Sequence, residues 1–183
     1  MPRKLMVLFW LAMVLPAAIG HSGEKTYEAL TNQGLLHFNR AYYMALPQNN
    51  PQTAAKEFAL AEKTFQEAIR LAPKRPEAYA HLGQTYFVQD KFTASAEMYE
   101  KALDLAPERK DLYLKLASAL ERSGDPQKAV QVLTRLRDRE TDPVARQGLQ
   151  VFIQAFEEKT VENQTENKED KTNHEAAKPI PKN

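Results

Sequence analysis

Phe65, Ala68 and Pro73 return 34 positions later as Tyr99, Ala102 and Pro107. Tyr79, Leu82, Gly83 and Tyr86 return at the same interval as Tyr113, Leu116, Ala117 and Leu120. A fixed period of this kind leaves few folds open, because each unit is one supersecondary element that buries its apolar face only by stacking on a neighbour. Within Pro76 to Pro107, Tyr79, Leu82, Gly83 and Tyr86 fall on one helical face. A polar break follows at Gln89-Asp90, then a second face of Phe92, Ser95, Tyr99 and Ala102, stopped by Pro107. The unit reads as helix, tight turn, helix.

The flanking sequence repeats this with one irregularity. Glu24 to Leu46 reads as a single helix, with Leu30, Gly34, Leu35, Phe38 and Tyr42 at spacings of three and four. Pro47 to Gln52 is a loop by composition. A second helix runs from about Thr53 to Leu71, with Phe58, Ala61, Phe65, Ala68 and Ile69 on one face. Gly34 and Gly83 are 49 residues apart rather than 34, so the first unit holds 15 extra residues, assigned to a longer first helix and the 47–52 loop. The third unit begins near Asp111. Gly124 suits a left-handed helix end, and Asp125-Pro126 caps and starts the next helix. That helix runs to about Arg139 and buries Ala129, Val132, Leu133 and Leu136. Asp142-Pro143 repeats the cap and opens a helix to about Glu158, with Leu149, Phe152, Ile153 and Phe156 on one face. A stack of helix pairs needs such a terminal cover.

These motifs make the chain similar to the tetratricopeptide repeat family. The resemblance implies an all-α, right-handed superhelical stack of about three helix-turn-helix pairs plus a C-terminal capping helix. The units would be 24–75 with its inserted loop 47–52, then 76–109, 110–141 and the capping helix 142–158. It also implies a concave face lined by the first helix of each pair. On the family's pattern the residues expected there are Phe38 and Asn39 in the first unit. The second supplies His81, Gln84, Phe87 and Val88, and the third Leu114, Lys115, Ser118 and Arg122. Family members that bind chaperones clamp two carboxylates with Lys, Asn and Arg. Here the matching positions are Thr31, Leu35, His81, Asp111 and Lys115, which keep one positive charge and reverse another, so capture of a terminal carboxylate is not expected.

The ends differ from the repeats. Met1 to Lys4 is a short basic stretch, Leu5 to Leu15 is almost wholly apolar, and Pro16 with Ala18-Ile19-Gly20 completes the pattern of a cleavable export signal over residues 1–20. An uncleaved anchor is the alternative, disfavoured because the apolar run is shorter than the roughly 20 residues of a spanning helix. The expected location is therefore periplasmic or secreted, with no stable membrane insertion once the signal is removed. Residues 159–183 carry almost no large apolar side chains and read as a disordered polar tail.

Chemistry is scarce. There is no cysteine, the six glycines form no phosphate-cradling loop, and no two of the four histidines sit as metal ligands on one helix face. Neither a cofactor nor a metal is implied. The net charge of +1 gives no basic footprint for nucleic acid. The chain therefore reads as a non-catalytic adaptor or assembly factor, acting outside the cytosol and holding a protein or peptide segment in its concave groove. The other readings are an accessory regulatory subunit of an envelope enzyme or secretion complex, and a self-associating structural repeat.

Overall fold

The computed structural model describes residues 26–158, and the regular structure among them is entirely helical. The expected export segment and polar tail lie outside those residues. Helix α1 (Tyr27–Asn39) runs on through a π-helical segment (Arg40–Ala45) and returns as α2 (Pro51–Leu71). The second hairpin is α3 (Pro76–Phe87) with α4 (Phe92–Leu105), and the third is α5 (Lys110–Arg122) with α6 (Pro126–Arg139). A last helix, α7, spans 143–158.

Local chemistry sets the boundaries. Thr26 accepts from the Ala29 N–H, Asn50 from Thr53 and Asp125 from Lys128, each satisfying an orphan donor of the first turn. Asp142 does the same for Val144 and Ala145 at the start of α7. Proline occupies the first turn of α2, α3 and α6, where it has no hydrogen bond to lose. The tight turns inside the hairpins pass through the left-handed region at Asn49 (φ 52°), Asp90 (φ 58°) and Gly124 (φ 90°). Asp90 and Gly124 are again 34 residues apart.

The 15 extra residues of the first unit are placed differently from the sequence expectation. The arm formed by α1 (13 residues) and the π segment (6) compares with 12 in α3, and the 21 of α2 with 14 in α4. Each arm is thus seven residues longer, two further helical turns or about 10 Å. The loop absorbs almost nothing: Asn50 caps α2 and Pro51 is already helical, so the inserted loop expected at 47–52 is a turn ending at residue 50. The π segment also changes which side chains face inward. Tyr42, expected on the buried face, is 40% exposed, and Ala41 and Ala45 are buried in its place. One wide turn advances the register of the helix by a residue.

Size matching packs each hairpin. A Cβ on Gly34 would lie 2.5 Å from the Phe65 ring, and one on Gly83 would lie 3.0 Å from the Tyr99 ring. In the third hairpin the equivalent pair is Ala117 with Leu133, both buried. An added methyl on the first helix is thus matched by a smaller side chain on the second. Between hairpins, Tyr27 reaches α3: its hydroxyl donates to Glu77 (3.1 Å) and accepts from the Ala78 N–H (3.0 Å). Tyr79 and Tyr113, one period apart, each donate to the carbonyl of the proline six residues earlier, Pro73 and Pro107.

Candidate functional site: an apolar trough along α3, α5 and α7

Two hollows lie side by side on the face shared by α3, α5 and α7. The smaller, about 230 Å³, is lined by Gln84 and Phe87 of α3, by Leu114, Lys115 and Ser118 of α5, and by Tyr99 of α4 beneath. The larger, about 460 Å³, is lined by Leu114, Ala117, Ser118 and Glu121 of α5, and by Gly148, Leu149, Phe152 and Phe156 of α7, with Leu133 of α6 beneath. Leu114 and Ser118 belong to both, so the two form one trough with Leu114, 47% exposed, as its central ridge.

The repeat explains why the halves differ. Tyr99 and Leu133 occupy the same place in successive units, 34 residues apart, and the smaller Leu133 underlies the larger hollow. Tyr99 also carries the one polar anchor of the smaller half, donating its hydroxyl to the Gln84 side chain (3.0 Å). Burial pushes the Tyr99 phenol far above its usual range, so it stays protonated as a donor. With that oxygen engaged, the Gln84 amide nitrogen and the Ser118 hydroxyl are the groups placed to meet a ligand's backbone.

The ten groove residues expected from the sequence separate into two sets. Gln84, Phe87, Leu114, Lys115 and Ser118 come together in the smaller hollow. Phe38 and Val88 pack instead against the buried cluster of Ala41, Ala45, Ala54 and Phe58, because the lengthened first hairpin overlies the end of α3. Asn39 is exposed at the junction of α1 with the π segment and lines neither hollow. Arg122 lies over the Phe92 ring (4.4 Å) and 3.5 Å from Asp90, at the turn of the second hairpin. His81 stacks on Phe65 (5.5 Å between centroids). Its pKa is lowered by burial first, then by Lys115 and Arg109, which keeps the ring neutral at pH 7.

Two of the positions that match the carboxylate clamp are engaged within the chain. Thr31 is buried and donates to the Tyr27 carbonyl. Asp111 accepts twice from Arg109 and lies 3.9 Å from Lys115, and the Arg109 hydrogen bond holds its carboxyl below the usual range. The side chains missed by the groove expectation are those of α7. As a cover, Phe152 was expected to be buried. Only Ile153 of that helix is fully buried, and Phe152, 51% exposed, is a wall of the larger hollow. The signal was present in the spacing of Leu149, Phe152 and Phe156, which places all three toward α5.

A helical-repeat domain with an apolar trough on the face of its first helices is a protein-interaction module in architecture. The sequence profile described as tetratricopeptide repeat matches residues 53–109 and 82–144, together half of the chain, and the protein belongs to that family. No curated protein matches it in sequence. Among solved structures it is similar to the type III secretion translocator chaperone SycD of Yersinia enterocolitica, with TM-score 0.56 and 15% identity over 80% of this chain and 95% of that one. It is similar to the N-terminal domain of stress-induced protein-1 from C. elegans, with TM-score 0.50 and 21% identity over 70% and 98%. MamA matches with TM-score 0.50 and 17% identity over 81% and 84%. At these identities the likeness is one of fold.

Proposed function

We propose that the protein is a non-catalytic adaptor or assembly factor that holds a segment of a partner protein in the trough of α3, α5 and α7. The observation that carries this reading is the pair of contiguous hollows sharing Leu114, apolar along their walls and edged by Gln84, Lys115, Ser118 and Glu121. The segment it fits is one with bulky apolar side chains to fill the hollows and free backbone groups for the polar edge. Family membership supports an interaction role. The segment over residues 1–20, with its basic start and apolar run, supports action outside the cytosol, in a periplasm or a secretory lumen.

The test is binding by the full chain. Leu114→Glu places a carboxylate where a ligand's apolar side chain would have to desolvate it. It should release partners that wild type retains, while stability changes by no more than about 0.5 kcal/mol, because the site is half exposed. Gln127→Glu, at an exposed position in the first turn of α6, serves as the control and should retain them. If Leu114→Glu keeps every partner, the trough is not the binding site.

A further inference from the structure

Five of the eleven large exposed apolar side chains among the described residues fall between Leu36 and Leu46. Four of them, Tyr42, Tyr43, Met44 and Leu46, gather at the tip of the first hairpin, where it outreaches the second by two turns. The π segment is what turns them outward: Ala41 and Ala45 take the buried positions, leaving Tyr43 67% and Met44 58% exposed. The rings are held in place. Phe58 meets Phe38 edge-on (5.9 Å), Phe38 stacks on Tyr42 (5.7 Å), and Tyr42 meets Tyr43 edge-on (4.9 Å), a series running from the core to the surface.

Charge singles out the same end. Between Glu28 and Glu57 there is no Asp or Glu, and the fixed charges are Arg40 and Lys56, both positive. From Glu57 to Glu158, by contrast, acidic residues outnumber Lys and Arg by 17 to 15. Glu57, which ends that interval in the sequence, is engaged by His37 at 2.7 Å. The tip also projects two turns beyond the second hairpin and lines neither hollow of the trough. A yielding, negatively charged layer fits all three properties. Tyr settles at the level of lipid headgroups, Leu and Met enter the acyl boundary, and cations draw the surface to anionic lipid. Among the described residues no helix is long and apolar enough to cross a membrane, so the contact is peripheral.

We infer that the tip of the first hairpin is a lipid-contact site, seating Tyr43, Met44 and Leu46 at the surface of an anionic bilayer. The inference is independent of what fills the trough. Because the chain has no cysteine, Met44→Cys and Gln127→Cys each give a unique position for an environment-sensitive fluorophore. With phosphatidylcholine vesicles containing a quarter phosphatidylglycerol, the probe at position 44 should brighten about threefold and shift to the blue, as a group entering the acyl boundary does. Pure phosphatidylcholine should give much less, the probe at 127 should not respond, and Arg40→Glu with Lys56→Glu should weaken the response at 44 about tenfold. No response at 44, an equal response at 127, or indifference to the charge reversal would overturn the proposal. So would brightening that follows protein concentration without vesicles, which would make the tip a contact between copies of the chain.

Discussion

The first two hairpins are built on the same glycine-and-aromatic packing, and the third on its alanine-and-leucine equivalent, yet the first presents the opposite kind of surface from the two that follow. The second and third hairpins, with the helix after them, line hollows floored by Tyr99 and Leu133. The first closes its own groove. Its extra turns overlie the end of α3, so Phe38 and Val88 become packing residues. Repeat units that share a fold therefore need not share a role: a regular period builds a trough, and two added turns per arm build a protrusion.

The sharpest way to break this comparison is to truncate the aromatic at the same place in the first and second hairpins. Phe65→Ala and Tyr99→Ala both empty fully buried sites and should cost about 3–5 kcal/mol each in urea unfolding. Tyr99→Ala also removes the floor of the smaller hollow, so it should weaken partner binding even where the protein is folded, and Phe65→Ala should not. Equal effects on binding would erase the distinction between the hairpins.

A smaller effect is expected from filling the glycine positions. Gly34→Ala and Gly83→Ala should each cost about 1–3 kcal/mol by overpacking, with Gly34→Ala the worse, because its Cβ would meet the ring at 2.5 Å rather than 3.0 Å. The reverse order would mean that the first hairpin is the looser of the two. Ala117 shows that the third hairpin accepts this methyl group when Leu133 replaces the aromatic ring, so Gly83→Ala combined with Tyr99→Leu should recover part of the loss.

The smallest effect is a pH dependence at His81, between the first two hairpins. Its folded pKa lies below the ordinary value of 6.5, so the folded state binds the proton less readily than the unfolded chain. The contribution is full above about pH 6.5 and is lost as pH falls through the folded pKa. Wild type should therefore lose more stability than His81→Gln on going from pH 7 to pH 5, as followed by thermal unfolding. Parallel curves would place the ring in solvent rather than against Phe65.

Much of this was legible in the sequence where the period is strict. Tyr79 and Tyr113, Tyr99 and Leu133, and Asp90 and Gly124 hold matching places because equal spacing on equal helices gives equal environments. Five of the trough's side chains followed from that register once the family's pattern of concave-face positions was laid on it. The first hairpin was less legible for a physical reason. Ala41 and Tyr42 are both apolar, so an apolar-polar pattern does not decide which faces inward once a π turn intervenes. Composition likewise signalled a loop at Pro47 to Gln52, whereas Asn50-Pro51 is equally the start of a helix. The 15-residue surplus was countable from Gly34 and Gly83, but its division into seven residues per arm depends on how two antiparallel helices stay in step. Apolar residues at helical spacing are usually core, which makes Phe152 look covered in the sequence, and its exposure follows from the gap between α5 and α7.

The most direct measurement is a nuclear magnetic resonance map of the full chain bound to a peptide selected for affinity to it. The account predicts peptides that share bulky apolar residues, and shifts concentrated at Gln84, Leu114, Ser118 and Phe152 along α3, α5 and α7. Shifts concentrated on α2, α4 and α6, with the trough undisturbed, would contradict it.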